Sequence, residues 1–350
     1  MTGMEGENRF IFVDPSSKHF ESNRLFDLSD TILNRDGTLL PFFRLREKVT
    51  DRGMQIHTAD YLFQGQIHKI QNVKGISDYY SLGLLDNFIK VASRKLARLA
   101  AFIIIEPPVV APKLYEALPK LTELFDRVYI HNIHGDGYSM AGVDISRLRK
   151  LYWPIAYQDV QHPFWDNQDR LRRIVAISGN HNPRFRKREQ YSTRIEAMAD
   201  LAKLGVVDLF GRGWDQWWSR NALWWPYWRN RQALISIYQG SCPSKFEVLS
   251  RYQFCLCFEN MAMDGYITEK IFDCFYAGTI PLYLGAPDIS KYIPEEIYID
   301  CRNFSSWSAM WKAVSALSES RMMVMRQAMR DFLKSESGIR FYKSLEAIFE

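Results

Sequence analysis

The chain has 350 residues, 47% apolar and 24% charged, and its 45 Lys and Arg against 40 Asp and Glu give a net charge of +5. These values lie near the globular norm and exclude a disordered, collagen-like or low-complexity chain. The length suits about two domains, and the mild basic excess favours anionic ligands while falling far short of an obligate nucleic-acid binder. The longest apolar run, Leu99–Ile105, is of strand length, and no stretch reaches the roughly 18 apolar residues that span a bilayer. The first ten residues, MTGMEGENRF, lack the basic and apolar regions of a secretory signal. Five cysteines with no CxxC pair argue against a disulfide framework and a structural zinc site, so a cytoplasmic chain is expected.

Residues 9–14 (RFIFVD) and 55–63 (QIHTADYLF) read as strands, rich in β-branched and aromatic residues. Helical spacing follows over 82–96, with Leu85, Phe88 and Ala92 on one face. LARLAAFIII (96–105) then reads as a strand covered on both faces, stopped by Glu106-Pro107-Pro108. A helix over 113–125 and a strand over 127–132 complete a βαβ pattern. The polar, Pro163-containing segment 158–173 reads as a linker. Beyond it come a strand at 174–178, a helix at 188–204 and a strand at 206–211. A short helix at 244–251, the strand FCLCF (254–258), a helix from Thr268 to Tyr276 capped by Gly278, and a strand at 279–285 follow. The expected division is 1–160, 161–320 and a helical segment 321–350, which could pack back on the first domain or rest its positive residues on a membrane surface.

Residues 254–285 hold the densest chemistry. In an open parallel sheet ligands sit at the carboxyl ends of strands, where loops meet helix N-termini. One loop and the first helical turn here unite Glu259, Asn260, Tyr266, Thr268, Glu269 and Lys270. The helix start and Lys270 would hold a phosphate. Glu269, unable to favour an anion, would accept from sugar hydroxyls such as those of a ribose. A capped helix with solvated charges is the plain alternative.

Phe258-Glu259-Asn260, then Tyr266-Ile267-Thr268-Glu269-Lys270, then AGTIPLYLG (277–285) resemble the donor-binding motif of the α-1,3/α-1,4-fucosyltransferases, over roughly 245–304. The resemblance implies an α/β, GT-B fold of two Rossmann-like domains facing across a cleft. It implies an N-terminal acceptor-binding domain, a C-terminal GDP-fucose-binding domain, and inverting transfer of fucose to a glycan hydroxyl, with an α-1,3-type linkage. Tyr266, Glu269 and Lys270 would line the donor site, with Glu269 on the ribose and Lys270 on the diphosphate.

The basic loop 184–194 (RFRKREQYSTR) follows a strand and opens a helix. The family places an Arg, then three residues on an aromatic, at that helix start; Arg188 with Tyr191 fits best, with Arg184 and Arg186 as alternatives. Glu106 resembles the family's proposed base, a Glu on an N-domain loop before an F-D-x-x-[FY] strand, here Phe125 to Tyr129. The partners implied are GDP-fucose and a glycan acceptor. No D-x-D occurs, so no metal is expected on the diphosphate, and His131 with His134 makes too few ligands for one. Gly211-Arg212-Gly213 reads as a tight turn rather than a dinucleotide fingerprint. Six tryptophans in 214–228 read as a satellite core or as an aromatic platform for an acceptor or partner. Two rival readings are a GT-B transferase using another nucleotide sugar and a non-catalytic sugar- or partner-binding protein.

Overall fold

A computed structural model describes residues 9–63, 77–83, 85–183, 185–216, 218–220 and 222–349. Two compact units emerge: one runs up to Ala156 and takes in the chain from Lys343, and the other is Tyr157–Tyr342. The division thus falls four residues before the expected boundary at 160. Of the 321–350 segment, only the last eight residues join the first unit.

The first unit contains β1 (Phe10–Asp14), α1 (Leu40–Asp51), β2 (Gln55–Thr58), α2 (Asp60–Phe63), β3 (Ser77–Ser81), α3 (Phe88–Ser93) and β4 (Arg98–Ile103). It continues through α4 (Pro112–Glu116), α5 (Leu118–Leu124), β5 (Arg127–Ile130) and β6 (Leu148–Lys150). The sheet order is β2-β1-β3-β4-β5-β6, and every pairing within it is parallel. The segment expected to be one strand over 55–63 ends at Thr58 and turns into α2. The helix expected over 113–125 is broken in two, with Pro119 in the first turn of α5. β3 carries Asp78 with a fully buried side chain, held by the Arg9 guanidinium (Nε 2.9 Å) and Arg98 Nε (2.7 Å).

The second unit contains α6 (His162–Trp165), β7 (Leu171–Ile177), α7 (Tyr191–Lys203), β8 (Val207–Phe210), α8 (Trp225–Ser236), α9 (Lys245–Leu249), β9 (Tyr252–Phe258) and α10 (Glu269–Ala277). β10 (Ile280–Leu284), β11 (Ile299–Asp300), α11 (Trp307–Ser315), α12 (Glu319–Lys334) and α13 (Glu336–Tyr342) complete it. Its parallel sheet has the order β11-β10-β9-β7-β8. β9 is buried along its whole length, as its uninterrupted apolar run requires of a central parallel strand. α14 (Ser344–Ile348) belongs to the first unit, where Leu345, Ile348 and Phe349 enter a core with Val13, Tyr80 and Leu82.

Each sheet reverses its winding once, between β1 and β3 in the first and between β7 and β9 in the second. Such switch points open crevices at the carboxyl ends of their strands. At Gly211, after β8, a Cβ would come within 1.9 Å of the Ser178 carbonyl oxygen at the end of β7, so the tight turn there admits glycine alone.

Asp14, the last residue of β1, lies at the first unit's switch point and is buried. It accepts from the Tyr79 hydroxyl at 2.5 Å and from Asn87 Nδ2 at 3.2 Å. Burial pushes its carboxyl from 3.8 up to about 6, with Glu21 and Asp60 adding to the rise and the two hydrogen bonds opposing it. The folded chain therefore keeps this proton to higher pH than the unfolded chain. Stability is undiminished below the ordinary value and falls as pH rises through about 6, by about 3 kcal/mol from this group. Asp14→Asn removes that fall: in thermal melts, the midpoint difference between variant and wild type grows in the variant's favour from pH 4 to pH 7. Parallel melting-point profiles would contradict it.

Candidate functional site

The second unit's switch point gathers the loops that follow β7 and β9. Their backbones are stitched together. Gln190 N–H donates to the Asn260 carbonyl at 3.0 Å, Ala262 N–H donates to the Arg188 carbonyl at 2.9 Å, and Glu189 bridges Met261. Arg188 adopts a left-handed conformation, φ +63°, where the loop turns into α7. Arg188 and Asn260, far apart in sequence, are thereby held on one joint. Arg184 lies outside the described residues.

Beneath that joint sits a carboxylate that sequence reasoning placed in the loop without giving it a role. Glu259 is fully buried and accepts from Thr268 N–H at 2.8 Å, Thr268 Oγ1 at 2.8 Å and Lys270 Nζ at 3.0 Å. Lys270 also reaches Thr268 Oγ1 at 2.9 Å. Thr268 occupies the N-cap position of α10 but makes no side-chain cap; Glu259 satisfies the exposed end of the backbone in its place. α7 is treated alike, since the Glu189 carboxylate accepts from the N–H groups of Tyr191 (2.6 Å) and Ser192 (3.0 Å). Each helix start thus has a carboxylate beside it: Glu259 on the N-cap N–H of α10, and Glu189 on the first two N–H groups of α7. Cationic side chains add to the field at these helix starts.

Those side chains converge. Arg194, buried on α7, donates to the carbonyls of Phe258 (2.5 Å) and Glu259 (3.1 Å) and lies over the Tyr191 ring at 5.4 Å. Lys245 pairs with Asp273 at 2.7 Å. Burial pulls both Lys245 and Lys270 down, but the carboxylates beside them, Asp273 for the first and Glu259 for the second, outweigh it and hold both above the ordinary lysine range. For Glu269, burial acts upward and is outweighed by the Lys270 and Lys245 ammoniums, which hold its carboxyl below the usual range. Glu269 Oε2 is buried and has no hydrogen-bond partner, while Oε1 lies 3.8 Å from Lys270. A cavity of about 100 Å³ adjoins the cluster, with Arg194, Lys245, Glu269, Lys270 and Asp273 among its walls. It has room for a few waters and not for a nucleotide, which must lie outside it.

Of the expected donor residues, Arg188, Tyr191, Asn260, Tyr266, Thr268, Glu269 and Lys270 all belong to these two loops and the helices they open. Tyr191, Tyr266 and Thr268 are buried in their walls, and Arg188, Asn260, Glu269 and Lys270 are partly open to solvent. Glu106 is exposed in the first unit, three residues past β4, where its carbonyl accepts from the Tyr115 hydroxyl at 2.9 Å. His131 is buried, bonded to the Ile105 carbonyl at 2.8 Å and stacked on Trp153. Among the described residues no group of three or more His, Cys, Asp or Glu could hold a metal ion. Arg194 and the Lys245–Asp273 pair were not singled out from sequence; the signal was that Arg194 shares the apolar stripe of α7 with Tyr191 and Met198.

Residues 180–337 match the model of the family described as "Glycosyltransferase family 10 (fucosyltransferase) C-term". The Helicobacter pylori alpha-(1,3)-fucosyltransferase FucT is 41% identical over 64 residues, 18% of this chain and 13% of that protein. Alpha-(1,3)-fucosyltransferase C of Drosophila melanogaster is 42% identical over 154 residues, 44% of this chain and 30% of that protein. Less than a third of either relative is therefore spanned by its aligned segment. A crystal structure of an alpha1,3-fucosyltransferase superposes with a TM-score of 0.51 at 16% identity, covering 99% of this chain and 91% of that one. The fold is α/β and of the GT-B class.

The packing at Glu259 predicts how this cluster fails. A Cβ on Gly285 would stand 2.5 Å from Glu259 Cγ and 2.5 Å from the Tyr283 hydroxyl. Gly285→Ala should cost about 1–3 kcal/mol in urea unfolding by displacing the carboxylate. Lys270→Ala should cost about 1–3 kcal/mol by leaving Glu259 undercompensated. Lys270→Ala combined with Glu259→Gln should be less destabilised than the two single changes added together. Strict additivity would show that the pair does not interact.

Proposed function

We infer that this chain, which belongs to glycosyltransferase family 10 through its second unit, is an inverting transferase that moves fucose from GDP-fucose to a hydroxyl of a glycan acceptor. The observation that carries this reading is the juxtaposition, at a strand-order switch point, of the partly exposed Glu269 carboxylate with the Lys270 ammonium, 3.8 Å from its Oε1. That pair offers an acceptor for ribose hydroxyls beside a fixed positive charge for a diphosphate. The family match over 180–337 and the fucosyltransferase relatives support the identity of donor and sugar.

In this reading Lys270 and Arg188 hold the diphosphate and stabilise the charge that grows on it as the glycosidic bond breaks. Electrostatic stabilisation of this kind is commonly worth about 3–4 kcal/mol per well-placed donor. Glu269 fixes the ribose, while Tyr191, Asn260, Tyr266 and Thr268 shape the walls. Glu106 takes the proton from the acceptor hydroxyl as its oxygen attacks the anomeric carbon from the face opposite the diphosphate. The linkage is proposed to be of the α-1,3 type.

Incubation with GDP-fucose and a glycan array, read by mass, should add one deoxyhexose to a subset of glycans. Transfer from UDP-sugars or GDP-mannose instead would replace the donor assignment. Glu269→Gln should raise the donor KM at least about tenfold. Glu106→Gln should abolish transfer while GDP binding persists. Equal loss of binding and transfer in the Glu106 variant would make it a structural residue, and an unchanged donor KM would remove Glu269 from the site.

A further inference from the structure

The tryptophan-rich segment splits in the fold. Trp214 and Trp224 are buried, which satisfies the satellite-core reading for those two, whereas Trp218 and Trp225 are each 73% exposed and Trp228 is 40% exposed. On α8 the exposed positions Trp225, Trp228, Arg229, Gln232, Ile235 and Ser236 recur at helical spacing and form one stripe opposite the buried Tyr227 and Leu234. Leu223, just before the helix, is also exposed.

A second segment is fastened to this surface. The Arg186 guanidinium lies over the Trp224 ring at 5.1 Å and donates to Asn182 Oδ1 at 2.9 Å. Asn182 Nδ2 donates in turn to the Arg220 and Leu223 carbonyls. The exposed Phe185, Arg186 and Lys187 therefore adjoin the α8 region. Residues 216–246 contain no Asp or Glu, so Arg220, Arg229 and Arg231 have no carboxylate partner within their own segment. Glu196 and Asp200 of α7 line the groove of about 800 Å³ that Arg229 borders and mark one edge of the surface.

We propose that this face of the second unit is a docking surface for a membrane bearing anionic lipid. Large indole rings beside arginines that outnumber the edge carboxylates Glu196 and Asp200 match the headgroup layer of such a membrane. The rings would sit at the boundary between headgroups and acyl chains, the cations would meet the phosphates, and the exposed Leu223 and Ile235 would add apolar area at that boundary. A second copy of the chain placed symmetrically on it would bring like charges together. No helix among the described residues is long and apolar enough to cross a membrane.

Co-sedimentation of the full chain with phosphatidylcholine vesicles, alone or mixed with phosphatidylglycerol, tests this. The wild type should sediment with the mixed vesicles, not with phosphatidylcholine alone, and raised salt should release it. Trp225→Ser with Ile235→Ser should weaken partitioning at least about tenfold, as should Arg220→Gln with Arg229→Gln, each with an unchanged melting point. Arg321→Gln with Met323→Ser, on the exposed face of α12, should leave partitioning unchanged. Absence of sedimentation with mixed vesicles, or equal sedimentation with both kinds, would overturn the proposal. So would loss of binding in the α12 variant alone, or Trp225-dependent retention on a glycan array without vesicle binding.

Discussion

A carboxylate removed from water must be neutralised and fully hydrogen-bonded where it lies, and Glu259 meets that demand by recruiting the start of α10. Its partners are the Thr268 N–H, the Thr268 hydroxyl and the Lys270 ammonium, so the loop between Glu259 and Thr268 can close in one way only. Gly285, at the end of β10, leaves the space that the carboxylate fills. Arg194 then grips the carbonyls of Phe258 and Glu259 from α7, and the loop after β7 pairs with the loop after β9 through Arg188, Gln190 and Ala262. One buried charge thereby orders the outward faces of Glu269 and Lys270, which the proposed chemistry uses.

The parallel sheets explain why chemistry falls where it does. At each switch point two neighbouring strands send their loops to opposite sides and leave a crevice. In the second unit that crevice holds the Glu259 cluster; in the first it holds Asp14, whose perturbed carboxyl is hydrogen-bonded to Tyr79 and Asn87. Glu106 stands past β4, with β3 between that strand and β1.

Much of this was legible in the amino-acid order where local and tertiary demands agree. β4, β9, α7 and α10 follow from apolar runs and helical spacing, and Gly278 caps α10 in the left-handed conformation, φ +70°. Segments whose partners lie far away were not legible. SDYYS (77–81) reads as polar, yet forms β3 because Arg9 and Arg98, distant in sequence, neutralise Asp78. β6 and β11 are too short for periodicity to show, and α8 is masked by its exposed tryptophans, which blur the contrast between faces. The donor motif was readable as a set of residues. Its internal division was not: spacing alone could not tell that Glu259 is the buried anchor, that Glu189 occupies the start of α7, or that Thr268 serves a carboxylate instead of capping its own helix.

In the proposed function Glu269 and Lys270, positioned by Glu259, receive the ribose and diphosphate of a guanosine nucleotide. A crystal structure of the chain with bound GDP would decide this. Ribose oxygens should lie within hydrogen-bond distance of the Glu269 carboxylate and diphosphate oxygens against Lys270, with the Glu259–Lys270 pair intact. A nucleotide seated elsewhere in the second unit, or a Glu269–Lys270 face that stays empty when GDP saturates the protein, would contradict it.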